Sequence, residues 1–480
     1  MNAFAQHNAQ DLAPHVDMSW AGKRVLVAGL ARSGVAAARL LLREKAIPML
    51  YDQKGPESFG DELVQLQEAG CVLALQGNIE SLVRQADTVV ISPGIPIDSP
   101  LVVKSAQMGV PCIGELELAA RYARGPLYAV TGTNGKTTTV SLLGEMLRQA
   151  GRVYRVAGNI GYPLSSAVLD AGADTVLVTE VSSFQLETVD RFHPQVAAIL
   201  NLTPDHLNRH GNMEHYAELK RRIFARQTPA DSAVLNADDP LVRDMAAHIP
   251  SQVYWFSRVG EVDRGCFVRD NSLILRVNGQ EQTICSVTDI KLPGPHNLEN
   301  ALAASLMAAL ADVPPAVIRY ALKSFAGVEH RMEFVRELQG VRYTNDSKAT
   351  NPDSAIKAVQ SMHGPTILLA GGFDKQVSFE GLARSIVEGA QVCQVVLYGQ
   401  SADLIAAALQ QAGFVAISRA ADMGEALQIA ASAAEPGYTV LLSPACASFD
   451  QFSDYEQRGR LYKQMVHALH PAAEGNHGSA

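Results

Sequence analysis

The chain has 480 residues, of which 47% are hydrophobic and 19% are charged, the balance of a soluble globular protein. One hydrophobic core rarely serves more than about 300 residues, so this length predicts about three folding units. The net charge of −9 and the pI near 5.8 argue against a chain-wide nucleic-acid surface. We expect small anionic partners held in local basic pockets, and no nucleic acid.

The cysteine pattern and the N-terminal stretch both predict a cytoplasmic location. The six cysteines form no CxxC pair and no Cys/His cluster with zinc spacing, so we expect buried or idle thiols in a reducing compartment. The N-terminal stretch has no basic segment followed by an apolar run, and no later segment approaches ~20 uninterrupted apolar residues. We therefore predict no membrane partner, and polar, frayed ends up to about Trp20 and after about His470.

The chain opens with the pattern of a parallel α/β sheet. The apolar run KRVLVAG meets glycine and is followed by the helical pattern GVAAARLLLREK, which predicts strand, turn and helix. Two more short strands are predicted at 47–51, ahead of Asp52, and at 87–91, ahead of SPGI. This period is typical of parallel strands joined by helices.

The middle and last parts repeat the order of strand, loop and helix. The middle part begins near Glu115, and its run LYAV leads into TGTNGKTTTVSLLGEML. Alternating residues over 266–287 predict β hairpins on the flank of its sheet, and HNLENALAASLMAALA predicts a helix. The last part begins after Gly327, and its apolar strands end at NDSKATN, GGFDK, Gly399 and SPACASFDQF.

Nearly every unusual polar motif directly follows an apolar strand. In open parallel sheets the ligand crevice lies outside the carboxyl ends of the strands. The motifs, among them EVSSFQ after the strand predicted at 174–179 and NLTPDH after that at 196–200, are therefore expected to face clefts. Three such sheets can meet at one multi-substrate site.

The segment TGTNGKTT predicts a phosphate-binding loop. Small residues lead to Lys136 and to hydroxyl groups at the start of a helix, where backbone N–H groups and the helix dipole favour phosphate oxygens. Val130 stands where the standard spacing has its first glycine, so a glycine-rich turn with a helix cap remains the alternative. The residues predicted to bind ATP here, with Thr137 as a Mg²⁺ ligand, are Gly132, Thr133, Asn134, Gly135, Lys136, Thr137 and Thr138.

A second glycine motif, Gly29 to Gly34 followed by Asp52, half fits the dinucleotide fingerprint. Ala31 occupies the position of the second glycine, where a methyl group hinders the close approach of a pyrophosphate. The motif therefore supports NAD only weakly. A site for another nucleotide and a turn without a ligand both stay open.

Three further side chains in the middle part are candidates for the chemistry. Glu180 ends an apolar strand and is a hard oxygen ligand suited to Mg²⁺, although an N-cap or a surface acid has the same pattern. His206, one strand later, can ligate a second cation or stabilise an oxyanion, with a structural histidine as the alternative. Lys220 stands beside Arg221 and Arg222, and a solvated basic helix face explains it equally well.

Together these motifs resemble the Mur ligases, the ATP-dependent amino-acid ligases of peptidoglycan precursor synthesis. From about residue 22 to about 465 the chain keeps the family's order of motifs: GTNGKTT, GNIG, EVSSFQLET, NLTPDHLNRH, LPGPHNLEN, HRME, NDSKATN and LLSPACASFDQF. Four segments resemble the branch that adds D-glutamate, rather than those that add L-alanine, a diamino acid or a dipeptide: SPGI, EVSSFQLET, NDSKATNPDS and SPACASFDQF.

The resemblance implies an α/β fold with three domains. A Rossmann-like domain over 21–114 would hold a UDP-linked precursor, and a P-loop ATPase-like domain over 115–327, with flanking β hairpins, would hold ATP. A Rossmann-like domain over 328–470 would hold the amino acid. The implied reaction joins D-glutamate to UDP-N-acetylmuramoyl-L-alanine through an acyl phosphate, and we expect a monomer.

The resemblance also assigns residues to each substrate. For ATP it adds, near adenine and ribose, Asn297, Asn300, Arg331 and Asp346. For the UDP-linked precursor it implies Ser33, Asp52, Gln53, Gly94, Asn159, Ser182 and Gln185. For D-glutamate it implies Lys348, Thr350, Lys375, Ser448, Phe449 and Tyr455. For two Mg²⁺ sites it implies Thr137, Glu180, His206 and a carbamylated Lys220, and the catalytic set is Lys136, Glu180, His206 and Lys220.

Three other functions stay open at this point. A folylpolyglutamate synthase also adds glutamate through an acyl phosphate, but SPGI and SPACASFDQF argue against it. An NAD-dependent oxidoreductase would use the first glycine motif and leaves GTNGKTT unexplained. A nucleotide-binding sensor without turnover is disfavoured by the joint presence of Lys136, Glu180 and His206, and a measurement of ADP release decides it.

Overall fold

The computed structural model describes residues 19–470, except for 161, 206, 293, 363, 375 and 376 and for the side chains of 207, 208 and 353. The chain divides into two compact units after Phe325. The first unit contains two of the sheets and the second unit contains a third. Among the helices of the described part of the chain, none combines the length and apolar character that a membrane span requires.

The first sheet is built from short apolar strands joined by helices. Its strands are β1 Arg24–Ala28, β2 Ile47–Tyr51, β3 Val72–Leu73, β4 Thr88–Ile91 and β5 Cys112–Gly114. The helices beside it are α1 Arg32–Arg43, α2 Gly60–Glu68, α3 Ile79–Gln85, α4 Pro100–Gln107 and α5 Glu115–Ala120. All strands are parallel, in the order β3-β2-β1-β4-β5, so the loop after β1 lies between those after β2 and β4.

The three strands predicted for this part are confirmed. Their apolar runs are continuous rather than alternating because helices cover both faces of a parallel sheet. One prediction about this part is wrong: Trp20, placed in a frayed end, is buried in the core.

The second sheet has nine strands and carries the glycine loop of TGTNGKTT. The strands are β6 Leu127–Thr131, β7 Tyr154–Gly158, β8 Val176–Glu180, β9 Val196–Ile199, β10 Ser232–Asn236, β11 Gln252–Ser257, β12 Gly265–Arg269, β13 Ser272–Val277 and β14 Gln280–Ser286. Their order is β14-β13-β12-β11-β10-β9-β6-β8-β7, which places β6 between β8 and β9. The strands from β7 to β12 are parallel, and β13 and β14 add the predicted antiparallel hairpins at one edge.

The helices of this second part include two that position the glycine loop. They are α6 Lys136–Gln149, α7 Leu164–Ala167, α8 Ser183–Leu186, α9 Leu207–His210, α10 Met213–Arg221, α11 Pro240–Asp244, α12 Pro295–Leu310 and α13 Pro315–Ser324. Helices α6 and α12 pack against each other through buried apolar residues such as Leu143 and Leu306. This packing brings the first turns of α12 to the loop that precedes α6.

The second unit is a six-stranded sheet between helices. Its strands are β15 Glu333–Leu338, β16 Val341–Asn345, β17 Thr366–Gly371, β18 Val392–Tyr398, β19 Ile417–Arg419 and β20 Thr439–Leu442. Its helices are α14 Pro352–Gln360, α15 Glu380–Gly389, α16 Ala402–Gln411, α17 Met423–Ala433 and α18 Tyr455–Ala468. The order is β15-β16-β20-β17-β18-β19, parallel except for the edge strand β15. The loop after β20 therefore lies between the loops after β16 and β17.

Candidate active site

The loop between β6 and α6 has a backbone that only glycine adopts without strain. Gly132 has φ +146° and Gly135 has φ +84°, both in the region that side chains disfavour. A Cβ atom on Gly135 would also overlap with the Asn300 side chain. The strand, loop and helix predicted around TGTNGKTT are thus present, and the glycines let the chain turn tightly into the N-terminus of α6.

A neighbouring loop holds the phosphate loop through neutral groups. The Asn134 N–H donates to Asn201 Oδ1 (2.8 Å), and Asn201 Nδ2 donates to the Asn134 carbonyl (3.2 Å). Thr133 Oγ1 bonds both the Thr203 carbonyl and the Thr203 N–H, at 3.1 and 3.0 Å. Sequence reasoning missed Asn201, although its place after β9, beside β6, was a signal for it.

Glu180 faces the phosphate loop from the adjacent strand. Its Oε2 accepts a hydrogen bond from Thr137 Oγ1 (2.7 Å), and its Oε1 accepts one from Asn159 Nδ2 (3.0 Å). Glu180 is buried, and the N-cap of the following helix is Ser182, so the surface-acid and N-cap alternatives are both wrong. A carboxylate and a hydroxyl this close together are a hard oxygen pair of the kind that binds Mg²⁺.

Two lysines converge on one carbonyl oxygen of the loop. Lys136 Nζ donates to the carbonyls of Gly132 (2.9 Å) and Thr133 (2.8 Å), and Lys220 Nζ donates to the same Gly132 carbonyl (2.9 Å). Lys220 Nζ also donates to Thr131 Oγ1 (3.3 Å) and lies over the Tyr216 ring. Because Lys220 is only 1% exposed, the alternative of a solvated basic face is wrong.

The ionisation of Lys220 follows from this burial. Loss of water around the amine, and secondly the nearby Lys136 charge, hold its pKa well below the ordinary value for a lysine, against the opposing effect of Asp205 and Glu180. A neutral amine at this position is a nucleophile, which a protonated lysine is not.

Asn297 and Asn300 lie on the first turns of α12. Asn300 Oδ1 accepts from Thr139 Oγ1 (3.3 Å), and Asn300 Nδ2 donates to Asn297 Oδ1 (3.4 Å). Asn300 is buried against Gly135, while Asn297 is half-buried. The pair therefore adjoins the phosphate loop on the side of α12.

The Asp52 carboxylate orders the loop between β1 and α1 by accepting backbone hydrogen bonds. Asp52 Oδ2 accepts the Leu30 N–H (2.9 Å) and Asp52 Oδ1 accepts the Lys54 N–H (3.0 Å). Ser92 Oγ donates to the carbonyl of Gly29 (2.6 Å), which has φ +82°. The other precursor candidates of this part are the half-buried Ser33 and the exposed Gln53 and Gly94, which follow β1, β2 and β4. The loops after three neighbouring strands thus meet at one edge, as predicted.

Ser182 and Gln185 cap helix α8. The Ser182 side chain accepts the Gln185 N–H (3.3 Å), and Gln185 Oε1 accepts the Ser182 N–H (2.9 Å). This reciprocal capping box satisfies backbone donors directly after Glu180. Both side chains thus have a structural role besides any contact with a ligand.

In the second unit Asp346 directly follows β16 in a buried position. Asp346 Oδ2 accepts from Ser443 Oγ (2.8 Å) and Oδ1 accepts the Met332 N–H (3.2 Å), and burial raises the pKa of Asp346 to about 7. Arg331 is exposed on the preceding segment. Lys348, whose N–H donates to the His330 carbonyl (3.0 Å), is half-buried just beyond.

The remaining acceptor candidates lie beside the loop after β20. Ser448 is buried, whereas Phe449 is 64% exposed and packs edge-on against Phe373 with ring centroids 6.3 Å apart. Thr350 is half-buried after β16, and Tyr455 begins α18. Among the described acceptor candidates, Lys348, Thr350, Ser448 and Phe449 thus sit on adjoining loops of one unit.

Two predicted residues, His206 and Lys375, lie outside the described residues.

The six cysteines form no disulfide; Cys393 is exposed and the others are buried. Burial raises the pKa of the Cys71 thiol to about 11 and that of Cys112 to about 12, which favours the unreactive thiol form at these two positions.

Family models match three consecutive parts of the chain. They are described as "Mur ligase MurD-like, N-terminal domain" over residues 23–114, "Mur ligase middle domain" over 130–308, and "Mur ligase, glutamate ligase domain" over 330–446.

Curated relatives match the chain almost from end to end. A UDP-N-acetylmuramoylalanine--D-glutamate ligase of Pelotomaculum thermopropionicum is 47% identical over 447 residues, 93% of this chain and 98% of that protein. A protein of the same name from Acidobacterium capsulatum is 44% identical over 465 residues, 96% of this chain and 100% of that protein.

Solved structures share the fold at much lower identity. UDP-N-acetylmuramate-alanine ligase MurC from Thermotoga maritima gives a TM-score of 0.53 at 18% identity, covering 93% of this chain and 99% of that one. MurF ligase from the same organism, in complex with ADP, gives 0.55 at 18% identity and covers 88% and 95%.

Proposed function

The chain belongs to the Mur ligase family, and on this premise we propose that it joins D-glutamate to UDP-N-acetylmuramoyl-L-alanine, with ATP, in peptidoglycan synthesis. The observation that carries the proposal is the cluster at the carboxyl ends of β6 and β8. There a phosphate loop, the Thr137–Glu180 pair and two lysines combine anion binding with a hard oxygen site. Relatives that are 42–47% identical bear the name of this reaction.

The reaction needs an activated carboxylate. A carboxylate and an amine at neutral pH form a salt, so the alanyl carboxylate first takes the γ-phosphoryl group of ATP, and ADP leaves. The D-glutamate amine then attacks the acyl carbon, loses a proton and expels phosphate. Such phosphoryl transfer depends on positioning and charge neutralisation more than on covalent help from the protein.

The phosphate loop supplies that positioning. Lys136 Nζ already lies at the mouth of the loop, on the carbonyls of Gly132 and Thr133. We assign it to the phosphates of ATP, to which it turns from those carbonyls. The other nucleotide contacts are assigned to the loop backbone and to Asn297, Asn300, Arg331 and Asp346.

The donor set of the cluster fits the Mg²⁺ that accompanies ATP in this family. Thr137 and Glu180 offer a hydroxyl and a carboxylate 2.7 Å apart in a buried position, and we assign both to a Mg²⁺ site. A second site would use Glu180, His206 and Lys220. When bound, Mg²⁺ neutralises charge on the phosphate oxygens and polarises the transferred group.

Lys220 is proposed to carry a carbamate. Its amine is buried, and the lowered pKa favours the neutral form, which can bond to the carbon of CO₂ with loss of a proton. A carbamate would replace the Lys220 amine, beside the Gly132 carbonyl, with an anion suited to Mg²⁺.

The substrates are assigned by domain. We assign the UDP-linked precursor to domain 21–114 and to groups of domain 115–327; the residues are Ser33, Asp52, Gln53, Gly94, Asn159, Ser182 and Gln185. D-glutamate is assigned to domain 328–470, with Lys348, Thr350, Lys375, Ser448, Phe449 and Tyr455. We propose a cytoplasmic location and a monomeric state.

Phosphate release tests the acceptor. With ATP and UDP-N-acetylmuramoyl-L-alanine, D-glutamate should drive turnover, while L-glutamate, L-alanine and diaminopimelate should not. Fixing both carboxylates of glutamate leaves the amine of the L-isomer pointing away from the acyl carbon, and such misplacement costs ~100-fold or more. Comparable rates with L-glutamate, or turnover only with a diamino acid, would contradict the D-glutamate assignment, and no ADP release with any acceptor would favour a sensor.

A further inference from the structure

Arg458 is a fully buried arginine on the first turns of α18. Its guanidinium makes five hydrogen bonds, all to uncharged oxygen atoms. Nε donates to Ser347 Oγ (3.0 Å), Nη2 donates to the carbonyls of Ser347 (2.9 Å) and Cys446 (3.1 Å), and Nη1 donates to those of Cys446 (3.1 Å) and Ala447 (3.3 Å). Among the described residues, no carboxylate lies within ion-pair distance of it.

These bonds join loops that follow different strands. Ser347 belongs to the loop after β16, and Cys446 and Ala447 belong to the loop after β20. The Ala447 carbonyl also accepts the N–H of Phe373 (2.9 Å), which lies after β17. One guanidinium thus ties two loops directly and is linked through Ala447 to a third.

The same loops carry the groups assigned above to D-glutamate. Lys348 directly follows Ser347, and Ser448 directly follows Ala447. A planar fork of five donors fixes the relative position of carbonyl groups on two loops in a way that a point charge does not. A small shift of either loop would therefore separate the acceptor groups.

The positive charge of the buried Arg458 guanidinium acts on the loops in addition to its hydrogen bonds. A buried guanidinium with no carboxylate at ion-pair distance costs free energy of folding that a neutral side chain of similar size avoids, although its charge does act on the nearby Asp346 and lowers the pKa of that carboxyl against the effect of burial. Its positive potential extends into the loops around it, where the groups assigned to a dicarboxylic substrate lie.

We propose that Arg458 is a positioning residue for the amino-acid substrate: it aligns the loops after β16, β17 and β20 and adds positive potential at their base. This inference rests on the proposed function, since it takes D-glutamate as the occupant of these loops. None of its five hydrogen bonds goes to a residue assigned above to ATP or to the UDP-linked precursor.

The test compares Michaelis constants in the 480-residue chain. Arg458→Met should raise the KM for D-glutamate at least ~10-fold, about 1.4 kcal/mol, and leave the KM for the UDP-linked precursor within ~2-fold. Arg458→Lys keeps the charge but not the planar fork of donors. Its KM for D-glutamate should lie between that of the unaltered protein and that of Arg458→Met. The matched control is Arg460→Met, on the same helix but with a side chain 54% exposed, which should change neither constant.

Each result decides the matter. A folded Arg458→Met protein with an unchanged KM for D-glutamate, equal changes in both constants, or a lysine variant no better than the methionine variant would overturn the inference. If Arg458→Met does not fold, Ser347→Ala removes one acceptor of the fork and should raise the KM for D-glutamate ~3-fold, and an unchanged KM would overturn the inference. If the unaltered protein releases no phosphate with D-glutamate, the proposed function itself is wrong.

Discussion

Two glycine loops of the first unit share a shape and differ in the groups around them. Each follows a strand that lies between two parallel neighbours, and each leads into a helix that begins with a cationic residue, Arg32 in α1 and Lys136 in α6. In the first loop a carboxylate, Asp52, accepts a backbone N–H. In the phosphate loop the corresponding contact comes from a neutral amide, Asn201, and two lysines lie on the loop carbonyls.

The difference teaches which part of a nucleotide each loop suits. A carboxylate accepts hydrogen bonds from the N–H and hydroxyl groups of a nucleoside, and it disfavours a nearby anion. Around the phosphate loop Lys136 and a helix N-terminus favour phosphate, and the nearby carboxylate, Glu180, is assigned to Mg²⁺. Substitutions in the phosphate loop should therefore change the KM for ATP. Substitutions in the loop between β1 and α1 should change the KM for the UDP-linked precursor.

The largest effect is expected for Lys136→Ala. Removing the charge that stabilises the transferring phosphoryl group should lower ADP formation at least ~1000-fold in a folded protein. Arg32→Ala, the matched change at the start of the other helix, should leave the KM for ATP within ~2-fold. Near-normal turnover of folded Lys136→Ala would contradict the phosphate-loop assignment.

Lys220→Ala should be nearly inactive, by ~100-fold or more, because it removes the proposed carbamate. Small carboxylates such as formate or acetate should restore part of the activity. A matched change at Arg221, which is on the same helix and half exposed, should have little effect. Density for an unmodified Lys220 amine, in crystals grown with bicarbonate and Mg²⁺, would count against the carbamate.

Gly135→Ala should raise the KM for ATP ~10-fold and lower thermal stability. The left-handed backbone costs about 1–2 kcal/mol with a side chain, and the new methyl group would overlap with Asn300. Gly260→Ala is the control, because its backbone is unstrained and no atom lies within 4 Å of the added Cβ. Kinetics and thermal unfolding of both variants measure the difference, and equal behaviour would show that the loop tolerates a side chain.

Asp52→Asn should have the smallest effect and should fall on the other loop. The amide can no longer accept both the Leu30 and the Lys54 N–H, which costs about 1–2 kcal/mol. We expect the KM for the UDP-linked precursor to rise ~5-fold while the KM for ATP stays constant. A change in the KM for ATP alone would contradict the assignment of one loop to ATP and the other to the UDP-linked precursor.

The strand, glycine loop and helix around TGTNGKTT could be predicted because their signals are local, and phosphate binding at this loop stays a prediction. The apolar run before Gly132, the lysine and the hydroxyl groups stand within a few residues of one another, and short-range periodicity marks the strand and the helix. The same reasoning located β1, β2, β6, β17 and β20 and the hairpins over 265–286. The resemblance to the family's order of motifs then added the residues assigned to D-glutamate, and their assignment stays a prediction.

The groups that hold the loops could not be predicted in this way. Asn201 and Arg458 act on atoms 67 and 111 residues away in the chain. Asn201 directly follows the apolar strand predicted at 196–200, but no local pattern indicates which atoms either side chain contacts. Arg458 has the sequence context of an ordinary helical arginine and differs from Arg460 only in its burial.

Lys220 shows most clearly which properties follow from the sequence and which follow from the tertiary structure. The sequence by itself determined that a helix carries Lys220, Arg221 and Arg222, and it left a solvated face as an equal explanation. Only the tertiary placement of α10, from which the Lys220 side chain reaches the end of β6, decided that Lys220 enters the interior and bonds to the Gly132 carbonyl, 88 residues away. Helical periodicity depends on neighbours along the chain, whereas burial and the pKa that follows from it depend on neighbours in space.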